Sequence, residues 1–363
     1  MTAGRTRRML AVLTVRDEAA FLLDWLAWHR QVGFTDFLVF SNDCSDETDR
    51  MLDRLAQLGW LTHCPNPGPH PQGAQWAALK AASTHPLRQT ADWVMVLDID
   101  EYLTIHTGDG TLPALINRFP DATAFPLTWR MFGNAGVVGY EDRPIPQQFT
   151  AAAPAVMGWP WRAAMFKTLF RDDGSYGKLG VHRPRQPDAE RMAAQKWVDG
   201  SGRTLPDAFH TARLYTPFGR DNYQLAQVSH YALGAAESYV LKVARGRANR
   251  TAAAFDLSYW IERNLCVAED RRLADRFPAC SAHRQSLAED AVLARLHRDA
   301  VSWRRERFRA LMADESYRSL FGRLLMAPPS RLLSDAENRL LLSYANTAQS
   351  AATGPSDART ETD

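Results

Sequence analysis

Asp98, Asp100 and Glu101 put three carboxylates into four positions, directly after the apolar run Trp93–Leu97. If a strand carried on through them, side-chain alternation would set Asp98 and Asp100 on one face, roughly 7 Å apart. Two anions held that close call for a cation between them. A hard divalent ion, Mg²⁺ or Mn²⁺, fits: it binds through one or two carboxylates and takes its remaining oxygens from substrate phosphates. Two solvated acids at a strand end are the plainer reading. The run of Val94, Met95, Val96 and Leu97 leading straight into the acids weighs against it.

Other polar groups sit in comparable places. Thr14, Arg16, Asp17 and Glu18 end one apolar run; Asn42 and Asp46 follow a second. Asp46 also suits the N-cap of the next helix, whereas Asn42 has no cap partner in its neighbourhood. Gln72 and Gln75 lie in and after the loop PNPGPHPQG. Lys167 and Arg171 are four apart in KTLFR. Lys242, Arg245 and Arg247 form a basic cluster that reads either as a diphosphate contact or as a solvated helix face.

The elements that must position these groups alternate. Met9–Val15 reads as a buried strand, and 17–32 as a helix whose Phe21, Leu22, Trp25, Leu26 and Trp28 recur near a 3.6 period, with Gly33 as its stop. FTDFLVFSN is a second strand. SDETDRMLDRLAQLG is a second helix with Ser45 or Asp46 as N-cap and Gly59 as C-cap. WLTHC, a helix over 75–83 and the strand 93–97 follow. This alternation predicts a doubly wound, mostly parallel α/β sheet, in which ligands bind beyond the carboxyl ends of the strands. From 120 to 185 the texture turns antiparallel, and from about 220 helical. Residues 1–120 and 120–250 read as two halves of one catalytic domain, 251–347 as a helical extension and 348–363 as a polar disordered tail.

Composition sets limits. The chain has 363 residues, 45% of them hydrophobic, and a net charge of +2, so no nucleic-acid partner is expected. Cys44, Cys64, Cys266 and Cys280 are scattered without a CxxC pair, which favours a reducing, cytoplasmic setting over disulfides or zinc. No apolar run reaches membrane-spanning length, and MTAGRTRRML passes directly into a strand rather than a signal peptide. ARLHRDAVSWRRERFRALM is basic and aromatic enough for peripheral contact with the inner face of an anionic membrane. Asp299 and Glu306 interrupt its charge, which favours a helix packed on the domain.

LDIDEYL resembles the DxD motif of GT-A glycosyltransferases, in the form of family 2-like and family 92-like enzymes. Further segments resemble that family in order: TVRDEAAFLLDWLAWHRQVGF, FSNDCSDETDRML, LTWRMFGNAG, KTLFR with GVHRP, and SHYALGAAESYVLKVARG. Together they span roughly residues 9 to 250. Arg16 departs from the family's usual Asn, and Ala236 from a small polar residue.

The resemblance implies a GT-A fold and transfer of a sugar from a nucleoside-diphosphate sugar, UDP-linked, to a saccharide or other hydroxyl acceptor, as in polysaccharide biosynthesis. It implies Mn²⁺ or Mg²⁺ on Asp98 and Asp100, with His182 or His230 as a further ligand. It implies donor contacts from Thr14, Arg16, Asp17, Glu18, Asn42, Asp46, Asp98, Lys167 and Lys242. An inverting enzyme would also need a general base, and Glu237 and Asp142 are the candidates. Two other readings stay open. One is a nucleotidyltransferase, although TVRDEAAF lacks the glycines a triphosphate loop needs. The other is a non-catalytic sugar- or partner-binding relative.

Overall fold

The computed structural model describes residues 7–246 and 256–352. In chain order the elements that matter are β1 (Met9–Val15), α1 (Ala19–Val32), β2 (Asp36–Ser41), α2 (Thr48–Gln57), β3 (Thr62–Pro65), α3 (Ala74–Ser83), β4 (Trp93–Leu97) and β5 (Glu101–Ile105). There follow α4 (Leu112–Arg118), β6 (Ala124–Met131), β7 (Phe166–Arg171), β8 (Ala226–His230), α5 (Ala236–Arg245), α6 (Leu257–Arg263), α7 (Ala291–Leu311), α8 (Glu315–Met326) and α9 (Asp335–Ala352).

One eight-stranded sheet runs β3-β2-β1-β4-β7-β6-β8-β5. β1 pairs in parallel with β2 and β4, β2 with β3, and β6 with β8. β7 runs against β4 and β6, and β5 against β8. The sheet is therefore mostly parallel, as the alternation predicts. The central strands are buried on both faces, which is why they read as continuous Val, Leu, Met and Phe runs rather than alternating ones.

The strand stops at Leu97, where the sequence reading ends it. Asp98, Ile99 and Asp100 form a turn closed by the Glu101 amide on Asp98 O (3.0 Å), so the turn, not strand alternation, presents the two aspartates. Glu101 then opens the strand β5. Asp46 serves two helices: its Oδ1 accepts from the Thr48 amide (3.1 Å), the first residue of α2, and its Oδ2 from the Ala19 amide (3.0 Å), the first residue of α1. Gly33 does end α1, in the left-handed conformation (φ 112°).

β5 has a neighbouring strand on one side only, and α1 closes the other. Trp25 Nε1 donates to Glu101 O (2.9 Å), Trp28 Nε1 donates to Leu103 O (2.8 Å), and the Leu103 amide donates to His29 Nε2 (3.2 Å). His29 Nδ1–H donates in turn to Trp25 O (2.8 Å), which fixes the tautomer. An edge strand's free N–H and C=O groups invite pairing with other chains; here three side chains of one helix take them.

α7 packs on α1, α2 and α5. Leu293, Leu296, Ala300, Val301 and Leu311 face inward, while Arg295, Arg298, Arg305 and Arg309 stay exposed. Its apolar stripe is thus occupied by the protein. α9 runs on to Ala352, past residue 348 where the polar tail reads as beginning; residues 353–363 lie outside the described residues. The boundary at 250 and Arg247 fall in the same category. No described helix is long and apolar enough to cross a membrane.

Candidate active site

The carboxyl ends of β1, β2 and β4 open into a cleft of about 770 Å³. Asp98 and Asp100 stand in its floor, and each carboxylate is met by a lysine. Lys167, on β7 and wholly buried, donates to Asp98 Oδ2 (2.8 Å) and lies 3.1 Å from Glu101 Oε2. Lys242, on α5, donates to Asp100 Oδ2 (2.8 Å) and to Ala232 O (2.8 Å). Gln75 donates to Asp98 Oδ1 (2.9 Å). Glu101 reaches back under the turn: its carboxylate accepts from the Asp98 amide (2.8 Å) and from Trp129 Nε1 (2.7 Å). With Lys167 these make three donors and no acceptor, the surroundings of an anion.

The floor sets three carboxylates, Asp98, Asp100 and Glu101, against two lysines, Lys167 and Lys242. Burial pushes the Glu101 carboxyl up to about 8, while Lys167 and the two N–H donors favour its charged form; ionised, it leaves the floor one negative charge in surplus. Burial works against the charge on Asp100, but Lys242 and His230 outweigh it and hold the carboxyl well below the usual range. Burial likewise opposes the charge on Lys167, and Asp98 and Glu101 overcome it.

His182 and His230 both pack against one indole, with ring centroids 5.2 Å and 4.4 Å from that of Trp129. Burial, and then Lys167, push the His182 imidazole down to about 4. Its Nδ1–H donates to Phe166 O (3.0 Å), which leaves Nε2 with its lone pair, the form in which a histidine binds metal. Burial also lowers His230. Its Nε2 lies 3.7 Å from Asp100 Oδ1, and its buried Nδ1 has no hydrogen-bond partner among the described residues.

The residues present fit a hard divalent cation. The floor has more carboxylates than lysines, Asp98 and Asp100 both face the cleft, and two neutral imidazoles stand beside them. Among the described residues no three carboxylate, imidazole or thiol groups already converge on one point, so substrate oxygens would complete the shell.

Of the remaining residues singled out in the sequence, Thr14, Arg16, Glu18 and Asn42 line the cleft with Lys242. Asn42 is fully partnered: its Nδ2 donates to Val15 O (2.8 Å), and its Oδ1 accepts from Asn66. Glu18 pairs with Arg245, and burial raises its carboxyl to about 6. Lys167 lies beneath the floor rather than on its surface. Asp46 is buried at the start of α1 and lines neither the cleft nor the cavity beside it. Asp17 sits in the β1–α1 turn at φ 52° and faces away from the cleft, its Oδ1 accepting from the Ser45 amide (2.6 Å).

Glu237 and Asp142 are not brought to the floor. Glu237 Oε2 accepts from the Tyr140 amide (2.9 Å), and Asp142 pairs with His297 (3.0 Å). The sequence reading passed over Trp129, Tyr259 and the arginines 162, 183, 185 and 263, all of which line the cleft. Arg183 and Arg185 directly follow His182, so the signal was local. Arg263 stacks on Tyr259 (3.6 Å) and could not have been found by spacing.

A mostly parallel α/β sheet with an acidic turn after its fourth strand, facing a cation-lined cleft, is the GT-A glycosyltransferase fold. The family model for glycosyltransferase family 92 matches residues 11–194, half of the chain, and the protein belongs to that family. A family 92 protein of Ricinus communis is 25% identical over 117 residues, covering 31% of this chain and 20% of that protein. One of Oryza sativa subsp. japonica is 25% identical over 158 residues, covering 41% and 26%. The matches thus span about a fifth to a quarter of those relatives' length. Among solved structures, Staphylococcus aureus TarS in complex with UDP covers 46% of this chain and 47% of its own at 14% identity and a TM-score of 0.29. Core-mannan synthase A of Aspergillus fumigatus in its Mn/GDP form covers 38% and 46% at 8% identity and a TM-score of 0.24.

Proposed function

We propose that the cleft binds a nucleoside-diphosphate sugar, UDP-linked, and that the protein transfers its sugar to a saccharide or other hydroxyl acceptor. The observation that carries this reading is the opposition of charges. A floor with more carboxylates than lysines lies under walls bearing Arg16, Arg162, Arg183, Arg185, Arg245 and Arg263. A metal–diphosphate complex is complementary to both, because guanidinium groups bind phosphate in bidentate fashion. Thr14 and Asn42, at the ends of β1 and β2, line the part of the cleft farthest along the sheet from β7 and are assigned to the nucleoside.

Asp98 and Asp100, with His230 or His182, would hold Mn²⁺ or Mg²⁺. Once bound, the ion neutralises charge developing on the leaving diphosphate. In the transfer the acceptor oxygen bonds to the anomeric carbon. The bond from that carbon to the diphosphate oxygen breaks with its electron pair, and the hydroxyl proton passes to a carboxylate. Glu18 suits that last role better than Glu237 or Asp142: it lines the cleft, and its raised pKa lies nearer neutrality, where a general base works best.

Thermal unfolding of the full chain with UDP, with and without Mn²⁺, tests the reading. UDP should raise the midpoint only when Mn²⁺ is present, because a ligand that binds the folded state stabilises it by mass action. Asp100→Asn should remove that increment, and it should also lower the unliganded midpoint, because Lys242 loses the carboxylate it faces. An Asp100→Asn chain that keeps the full Mn²⁺-dependent increment would falsify the assignment.

A further inference from the structure

A second cavity, of about 470 Å³, lies behind the wall of the cleft. Arg16, Glu18, Asp100, Lys242 and Arg245 line both spaces, so the two share one partition of charged side chains. Beyond that partition the character changes. The second cavity is walled largely by Phe21 of α1, Tyr140, Phe149, Tyr231, Leu241 of α5 and Trp303 of α7. Aromatic and apolar surface of this kind takes the body of an organic ligand, and a few placed polar groups fix its orientation.

The placed polar group is Arg304. Its side chain reaches in from α7, and the residue is only 5% exposed. The guanidinium stands 4.4 Å from the centroid of Phe21 and 4.8 Å from that of Tyr140. One nitrogen, Nη2, donates to Ser238 Oγ (3.0 Å), while the buried Nε has no hydrogen-bond partner among the described residues. No carboxylate in the cavity wall is left over for it. Asp100 is held by Lys242, Glu18 by Arg245, Asp17 lies near Arg16 (3.9 Å), and Glu141 pairs with Arg143. Asp46 and Glu18 act on Arg304 only through space, with no carboxylate in ion-pair contact among the described residues; a buried guanidinium so placed is costly, and an anionic ligand group relieves that cost. Arg307, exposed one turn further along α7, adds a second positive charge to the same wall.

We propose that this cavity receives the acceptor, and that the acceptor carries an anionic group, a carboxylate or a phosphate ester, on a ring-bearing or apolar body. The inference rests on the reading of the cleft as the donor site. The shared partition is what gives it a mechanism: a hydroxyl group held beside Asp100 and Glu18 from the aromatic side faces a sugar held beside the same residues from the cleft side. Arg304 anchors the anionic group away from the diphosphate, so the second of two negatively charged substrates has a cation of its own besides those of the shared partition.

The test is calorimetric titration of the full chain with three small probes: benzoate, phenyl phosphate and neutral benzyl alcohol. At least one anion should bind tenfold or more tightly than the alcohol, and which one does so separates a carboxylate from a phosphate acceptor. Arg304→Gln should erase the preference while leaving Mn²⁺–UDP binding unchanged, since Arg304 does not line the cleft. Hydrogen exchange on the unaltered chain provides a readout that needs no variant. The preferred anion should protect residues 137–149 and the second half of α7, and Mn²⁺–UDP the ends of β1 and β4. Equal affinity for all three probes, an anion preference that survives Arg304→Gln, or protection confined to the cleft would each overturn the inference. Loss of UDP binding in the unaltered chain would instead overturn the donor-site reading on which it rests.

Discussion

His29 and His230 are both buried, both neutral and both set in motif-like segments, yet they belong to different kinds of region. At the junction of α1 and β5 the polar groups along the strand's free edge are answered, although the buried Tyr102 hydroxyl beside His29 has no partner among the described residues. His29 uses both ring nitrogens, and Trp25 and Trp28 spend their N–H groups on backbone carbonyls. On the cleft floor the accounts stay open: more carboxylates than lysines, an imidazole nitrogen without a partner, and an aspartate 3.7 Å from a histidine. Near-complete satisfaction marks a region whose purpose is to hold shape, because an orphaned buried polar group destabilises the fold. Incomplete satisfaction is tolerated where a ligand completes it.

That contrast can be broken most forcefully at Lys167. Lys167→Met keeps the length of the side chain and strands Asp98 and Glu101 without their cation. Removing one partner of a buried pair typically costs 3–5 kcal/mol, and urea unfolding should show a loss of about that size. Adding Glu101→Gln should recover part of it. A loss below about 1 kcal/mol would mean that the floor is not held together by this lysine.

Trp28→Phe probes the satisfied region. It leaves Leu103 O without its donor, at a cost of about 1–3 kcal/mol for an unmet buried group. Mn²⁺-dependent UDP binding should not change, and a fall in affinity comparable to the fall in stability would undo the separation of the two regions.

A gentler probe is pH. Burial lowers His29 to about 3 from an ordinary value of 6.5. Below pH 6.5 the unfolded chain takes up a proton that the folded chain refuses. This contribution to stability is therefore complete above pH 6.5 and is lost as the pH falls toward 3. For one proton the slope approaches about 1.4 kcal/mol per pH unit. His29→Gln should show a shallower decline between pH 6.5 and 4.5 than the parent chain; parallel curves would show that His29 takes up its proton while folded.

The smallest effect is expected at Glu237→Gln. The amide still offers an oxygen to the Tyr140 N–H, so the unfolding midpoint should move by only a few tenths of a kcal/mol, the scale of a weak exposed interaction. Transfer should continue at the parental rate. A hundredfold fall in rate with unchanged stability would restore Glu237 as the general base and displace Glu18.

What could be read in advance follows from how local each signal is. The acidic turn and the strands before it are contiguous in sequence, so types and spacing disclosed them; the histidine blocks were singled out by resemblance to the family. Asp46 was legible in half: an acid ahead of a helix discloses its bond to the start of α2, but not the one to another helix 27 residues upstream. Trp25, Trp28 and His29 read as the inner stripe of an amphipathic helix, which they are; their bonds to β5 depend on a strand 74 to 76 residues away. The anionic-ligand cavity was hidden for the same reason, since its walls come from α1, α5, α7 and the loop around Tyr140. Arg304 in particular looked like one more charge on a solvated face.

The closure of β5 by α1 also bears on the order in which the chain can fold. α1 is among the first segments made, but the carbonyls that receive Trp25 and Trp28 belong to residues 101 and 103. Until those residues have been synthesised, two indole N–H groups and a histidine nitrogen on its inner face have no protein partner. Pairings this distant in sequence are slow, because loop-closure entropy must be met before the contact forms. The N-terminal helix is therefore a late-docking element despite its early synthesis. A ribosome pausing before residue 105 would display a helix whose Trp25 and Trp28 N–H groups still lack their partners on β5.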